Sequence, residues 1–165
     1  MLVPSAAGEL LAELQRENLP HVVVGGLAVN LLGYERMTRD VDVLVPATPQ
    51  QGQAVRAFLI RLGATRPDGS PLPDLLFDGE HHIRALTPFG LIDFIPEGGE
   101  PLTFSSVEAS AKYADVQGTL IRRADLAHLV AFKRLAGRPQ DLHDLEMLAK
   151  AHGELPLLAL PGIDD

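Results

Sequence analysis

Asp40-Val41-Asp42-Val43-Leu44-Val45 combines β-branched residues with strict alternation of acid and valine at its start. That pattern predicts a strand, on which residues two apart share a face. Val41, Val43 and Val45 then point into a core, and Asp40 and Asp42 point together to the other side. Two carboxylates on one face of a buried strand repel each other and need compensation. A divalent cation supplies it. Mg²⁺ and Mn²⁺ are hard ions that carboxylate and substrate phosphate oxygens bind jointly. The same pair also reads as solvated acids at a strand end, or as partners of Arg36 and Arg39.

Downstream, HHIRAL (81–86) and LIDFI (91–95) flank TPFG, with Pro at the second and Gly at the fourth position of a turn. This predicts a hairpin, and a symmetric loop puts Arg84 opposite Asp93. Asp93 lies mid-strand in an otherwise apolar run, where a carboxylate is costly unless paired or metal-bound. Cross-strand pairing and metal binding are compatible. Three carboxylates from two strands suit a phosphoryl-transfer centre that holds two cations about 3.5–4 Å apart.

Upstream, HVVV (21–24) predicts a short buried strand. Gly25-Gly26 follows, and LAVNLLGY after it predicts a helix. Glycines at such a junction either make a tight turn or let the backbone approach a phosphate. A first helix spans 5–17. Thr48-Pro49 caps another, which runs to Leu62 and stops at Gly63. Residues 66–79 read as a Pro- and Gly-rich loop, residues 103–113 as a short helix, and VQGTLI as a turn between strands. Asp125 caps a helix to Ala136, ended by Gly137. Pro139 starts a last helix ending near Gly153, and the Pro-broken tail LPLLALPGIDD either packs across the body or frays. The fold class is α/β (α+β), a mixed sheet with flanking helices and a helical C-terminal segment. One domain over 1–165 has its core at about 20–122 and a helical pair at about 123–153. Strand order is not legible.

The 165 residues carry a formal net charge of -8, 46% hydrophobic residues and no cysteine. No apolar run approaches the ~18 residues of a membrane span, and the N-terminus does not read as a secretory signal. A cytoplasmic, membrane-free protein is expected. Lack of cysteine excludes thiolate metal sites and thiol nucleophiles. Of 14 Lys and Arg, eight (Arg36, Arg39, Arg84, Arg122, Arg123, Lys133, Arg134, Arg138) fall in the three motif-bearing segments. A local basic pocket on an acidic body suits a phosphate-bearing small ligand better than a long polyanion. His81, His82 and His143 have no zinc spacing. His82 shares the face of Arg84, and a plain surface histidine is the simpler reading.

Val24-Gly25-Gly26, thirteen intervening residues, then Asp40-Val41-Asp42-Val43 resembles the hallmark of the polymerase-β-like nucleotidyltransferase superfamily. Arg36-Met37-Thr38-Arg39-Asp40 looks like its Arg-x-Thr-x-Asp lead-in, and Asp93 matches its third acid. Gly26 stands where serine is frequent. The C-terminal Lys133, then Arg138-x-x-Asp141-x-x-Asp144, is similar to the closing motif of abortive-infection toxin-type nucleotidyltransferases. The resemblance implies a minimal nucleotidyltransferase fold that moves a nucleoside monophosphate from an NTP to an acceptor hydroxyl with Mg²⁺ or Mn²⁺. It implies Asp40, Asp42 and Asp93 as metal ligands and catalytic acids. Gly25, Gly26 and Lys133 would hold triphosphate, Arg36, Thr38 and Arg84 would be further nucleotide contacts, and Arg138 and Asp141 would order the site or assist catalysis. The acceptor stays open among tRNA, protein and small molecule, a sugar- or drug-modifying enzyme included. The toxin-type branch implies a toxin–antitoxin pair, hence an antitoxin partner. The alternative is a non-catalytic nucleotide- or partner-binding module.

Overall fold

In the computed structural model, which describes residues 4–165, the chain runs α1 (Ala7–Arg16), β1 (Val22–Val24), α2 (Gly25–Leu31) and β2 (Asp40–Val45). It continues through α3 (Pro49–Leu62), a 3-10 turn (Asp74–Asp78), β3 (Ile83–Thr87) and β4 (Gly90–Pro96). The last elements are α4 (Phe104–Ala109), β5 (Lys112–Val116), β6 (Thr119–Arg123), α5 (Leu126–Ala136) and α6 (Pro139–His152). The local stop signals act where the sequence places them. Thr48 accepts a hydrogen bond from the Gln51 amide at 3.2 Å, Asp125 accepts from the His128 amide at 2.9 Å, and Gly63 and Gly137 close α3 and α5 with φ of 66° and 61°. Several boundaries differ from the sequence reading. The helix expected over 103–113 ends at Ala109, and Lys112 and Tyr113 belong to β5. α2 begins at Gly25 itself and ends at Leu31, short of Tyr34, because Gly33 turns the chain at φ 98°. The loop at 66–79 contains the 3-10 turn, whose Phe77 is buried.

Six strands form one mixed sheet in the order β3-β4-β2-β1-β6-β5. β2 is antiparallel to β1 and parallel to β4, with Asp42 beside Asp93. The β3–β4 hairpin has the register expected of TPFG, Thr87 against Gly90 and Arg84 against Asp93. Val41, Val43 and Val45 pack with Ile83, Ile92 and Phe94 against Leu10, Leu11 and Leu14 of α1 and Val55, Phe58 and Leu59 of α3. The opposite face carries Val22, Val24 and Leu44, covered by Leu102, Phe104, Val107, Ala131 and Leu160. Leu160 belongs to the tail, which therefore packs across the body. Ala28 and Val29 of α2 meet Leu129 of α5 and Leu148 of α6.

This layering fixes where the acids stand. Val41 and Val43 are fully buried, and each contributes about 1.5–3 kcal/mol by that burial. A slip of one residue would exchange them for Asp40 and Asp42. Among the described residues, no helix is long and apolar enough to cross a membrane.

Candidate active site

Asp40 and Asp42 leave β2 on the face covered by the C-terminal helices, and Asp93 leaves β4 beside them. One oxygen from each of the three lies within 4.8 Å of the others. Their cationic neighbour is neither Arg36 nor Arg39 but Arg84, across the hairpin. Its Nη1 donates to Asp40 Oδ2 at 2.7 Å and to Asp93 Oδ2 at 3.4 Å, and its Nη2 donates to Asp40 Oδ1 at 3.3 Å. His82 Nε2 lies 3.0 Å from Asp93 Oδ1. The imidazole is exposed, as expected of a surface histidine, yet it touches the third acid. Its face-sharing with Arg84 was the only sequence signal for that contact.

Burial first, then hydrogen bonding to Asp93 and the charges of Asp93 and Asp40, push the Asp42 carboxyl up to about 7. Asp40 is raised by burial and by Asp93, against the pull of Arg84. Burial alone would raise Asp93 too. The hydrogen bonds from His82 and Asp42, with the charges of His82 and Arg84, outweigh it and hold Asp93 below the ordinary carboxylate range. His82 is raised chiefly by its hydrogen bond to Asp93. Near neutrality Asp42 is thus partly protonated, and a bound cation would displace that proton. The donor set fits a hard divalent cation: all three groups offer oxygen, they converge, and negative charge is in surplus.

The glycine pair has a structural job beyond any phosphate. Gly25 has φ 67°, and a Cβ on it would stand 2.0 Å from Asp42 Oδ2. A Cβ on Gly26 would meet Thr38 Oγ1 at 2.7 Å and Arg36 Nη2 at 3.1 Å, so a serine here would displace Thr38. Asn30, buried in α2, holds the 36–38 segment over the pair. Its Nδ2 donates to the carbonyls of Gly26 at 3.2 Å and Arg36 at 2.8 Å, and its Oδ1 accepts from the Arg36 amide at 3.1 Å. Sequence reasoning missed Asn30, although a lone amide inside the apolar run LAVNLL was a visible sign.

The C-terminal residues form an ion network. Lys133, 5% exposed, places Nζ 2.7 Å from Asp144 Oδ2 and 3.2 Å from Asp141 Oδ1. Asp144 is fully buried and accepts Arg36 Nε at 2.9 Å, Arg36 Nη2 at 3.0 Å and Gln140 Nε2 at 2.8 Å. Asp141 accepts the Arg138 amide at 3.1 Å and Arg138 Nε at 2.7 Å. Burial opposes ionisation of both acids, and the hydrogen bonds from their cationic partners overcome it, lowering each below the usual value. Lys133 and Arg36 are therefore already engaged, and they tie α5 and α6 to the segment leading into β2.

Two cavities adjoin at Gly25, Asp42, Lys133, Arg138 and Asp141. One, of about 460 Å³, is polar and continues along Gly26, Arg36, Thr38, Arg39 and Asp40. Arg39, one of the basic residues that the sequence gathers near its motifs, is exposed in its wall and has no ion-pair partner among the described residues. The other, of about 330 Å³, is apolar and lies toward the far end of β4, between Ile95, Leu102, Leu129 and Phe132.

No family model and no curated protein matches the chain. Solved structures do. The antibiotic-resistance factor ANT(2'')-Ia in solution matches over 90% of this chain and 83% of its own, with a TM-score of 0.59 and 16% identity. The lincosamide antibiotic adenylyltransferase LnuA, lincomycin-bound, covers 88% of this chain and 96% of its own, with a TM-score of 0.61 and 15% identity. An antigenic nucleotidyltransferase-like protein from Paracoccidioides brasiliensis covers 90% of this chain and 74% of its own, with a TM-score of 0.54 and 14% identity. The chain has the mixed-sheet fold of these nucleotidyltransferases, which is the fold that the polymerase-β-like resemblance implied.

Proposed function

We propose that this chain is a divalent-cation-dependent nucleotidyltransferase that moves a nucleoside monophosphate from an NTP to the hydroxyl of a small acceptor molecule. The carrying observation is the convergence of Asp40, Asp42 and Asp93 beside a cation-lined polar cavity. These three acids would hold Mg²⁺ or Mn²⁺, which when bound neutralises phosphate charge and makes a hydroxyl more acidic. Arg39 and Arg138 face the polar cavity and receive the triphosphate, with the Gly25-Gly26 backbone forming its floor. Asp93, ionised and steadied by His82, accepts the proton of the attacking hydroxyl. Thr38 packs over Gly26. Arg84, which holds Asp40 and Asp93 together, would be free to turn toward phosphate if a bound cation took its place at those carboxylates. Lys133, Arg36 and Asp141 act one step back, as the frame that seats Arg138 and the loop before β2.

A non-catalytic module would be expected to have lost an acid, and all three are present. Net charge of -8 disfavours tRNA as acceptor. Two structural neighbours are described as an antibiotic-resistance factor and a lincosamide antibiotic adenylyltransferase, which supports a small molecule. A toxin role and an antitoxin partner rest on the C-terminal resemblance alone and form no part of the proposal. The test is calorimetric titration of each NTP with and without Mg²⁺, followed by pyrophosphate release over a panel of hydroxyl acceptors. Binding that needs the cation, and release abolished by Asp40→Asn, is the expected result. Equal NTP affinity with and without divalent cation overturns the proposal.

A further inference from the structure

The apolar cavity is not needed for the triphosphate, and its position says what it is for. Displacement at a phosphoryl centre runs in line, with the attacking and leaving oxygens on opposite sides of phosphorus. Of the cations that can take the leaving pyrophosphate, Arg39 lines the polar cavity alone and Arg138 stands at its junction with the apolar one; the polar cavity runs back along Asp40 and residues 36–39 before β2, with Pro139 and Gln140 of α6 completing it. Ile95 and Pro96 of the apolar cavity lie past Asp93 on β4, beside Leu44 and Val45, on the far side of Asp42 along the strands. An acceptor attacking in line therefore enters from the apolar side.

Resting on the proposed transferase reading, we infer that this cavity is the acceptor subsite, and that the acceptor is a small hydroxyl-bearing molecule with an uncharged apolar face. About 330 Å³ is at the small end of ligand cavities. Val24, Ile95, Leu102, Leu129, Phe132 and Leu135 give its wall large apolar side chains. The charged groups it meets are only those at the junction with the polar cavity, where Lys133 and Arg138 are both paired with Asp141. A polycationic acceptor finds no ring of carboxylates there, and a nucleic acid finds no row of cations. The nucleoside is left to the wider polar cavity, where Met37 and Pro139 offer apolar surface and Gln140 an amide.

The test fills the cavity from two tolerant positions. Ala136 is exposed at the end of α5, and a Cβ on Gly98 would meet only Leu102 Cβ, at 4.0 Å. Ala136→Trp and Gly98→Phe are compared with the wild type by calorimetry, using an NTP with Mg²⁺, then octyl and phenyl β-glucoside, an aminoglycoside and bulk tRNA in the presence of a non-hydrolysable NTP analogue. At least one glucoside should bind the wild type, and a folded filling variant should weaken it at least tenfold while NTP affinity holds. The inference falls if filling the cavity weakens NTP instead, which makes it the base site. It falls equally if neither glucoside binds, or if the aminoglycoside or tRNA binds in their place. Failure of the wild type to bind any NTP registers separately, as failure of the transferase reading on which the inference rests.

Discussion

Replacing Asp42 by Asn tests the site without knowledge of any substrate. The carboxyl is pushed from 3.8 up to about 7 by burial and by two neighbouring acids. Its folded-state value lies above the unfolded one, so between these values the folded chain binds more protons than the unfolded chain, and stability falls as pH rises through that window. At roughly 1.4 kcal/mol per pH unit, the fully ionised form carries a cost of at most about 4 kcal/mol. The pair shares its proton with Asp93, which is shifted the other way, so about 2–4 kcal/mol is the expected range. Asn keeps the shape that fits against Gly25 and offers an N–H to Asp93 without the charge. In metal-free buffer at pH 8 the variant should melt about 5–15 °C above the wild type, by the usual relation for a domain of this size. At pH 4, where Asp42 is protonated in the folded state and about half ionised in the unfolded one, most of the gap should have closed. Turnover with Mg²⁺ should meanwhile fall at least about a hundredfold, since charge held by the cations acts at the transition state. Differential scanning fluorimetry across pH decides the matter. A variant less stable than the wild type at pH 8 makes Asp42 half of a structural ion pair, and a gap that does not close in acid refutes the repulsion argument.

Arg84→Ala removes the guanidinium that spans Asp40 and Asp93, so the metal-free protein should lose melting temperature while Mn²⁺, followed by electron paramagnetic resonance, binds several-fold more tightly; unchanged Mn²⁺ affinity would show that Arg84 does not compete for the acids. Gly25→Ala and Gly63→Ala start from nearly equal φ, 67° and 66°, but only the first drives Cβ into a carboxylate. In urea, Gly63→Ala should cost about 1–2 kcal/mol and Gly25→Ala clearly more, and equal costs would remove the packing role given to Gly25. Lys133→Ala removes the buried cation that Asp141 and Asp144 share and leaves them to Arg138 and Arg36, for about 1.5–3 kcal/mol lost by chemical denaturation. A variant that keeps full stability and loses only NTP affinity would return Lys133 to direct phosphate contact.

Much of the site is local arithmetic. The alternation in Asp40–Val45 puts both acids on one face whatever surrounds the strand, and the two-residue TPFG loop sets Arg84 against Asp93. Caps at Thr48 and Asp125 and stops at Gly63 and Gly137 act through bonds to the next turn, so they too are readable without a partner in space. The strand order is another matter. That β4 lies beside β2 rather than elsewhere, bringing Asp93 level with Asp42, follows from how two apolar faces are covered by α1 and α3 on one side and by the C-terminal helices on the other. Beyond the Arg84–Asp93 pair that the hairpin sets, ion pairing was equally hidden. Coulomb attraction is blind to residue number, and any of several arginines could have served the other two acids. Tertiary structure gives Arg84 to Asp40 as well, sends Arg36 to Asp144 across the domain, and buries Lys133 between two aspartates. The glycine pair shows the same division: its residues announce a close approach, and only the folded chain reveals that the nearest neighbour of Gly25 is Asp42. Periodicity and turn chemistry are properties of neighbours along the chain. The choice among equally charged or equally apolar partners is made by burial, which exists only once distant segments have packed.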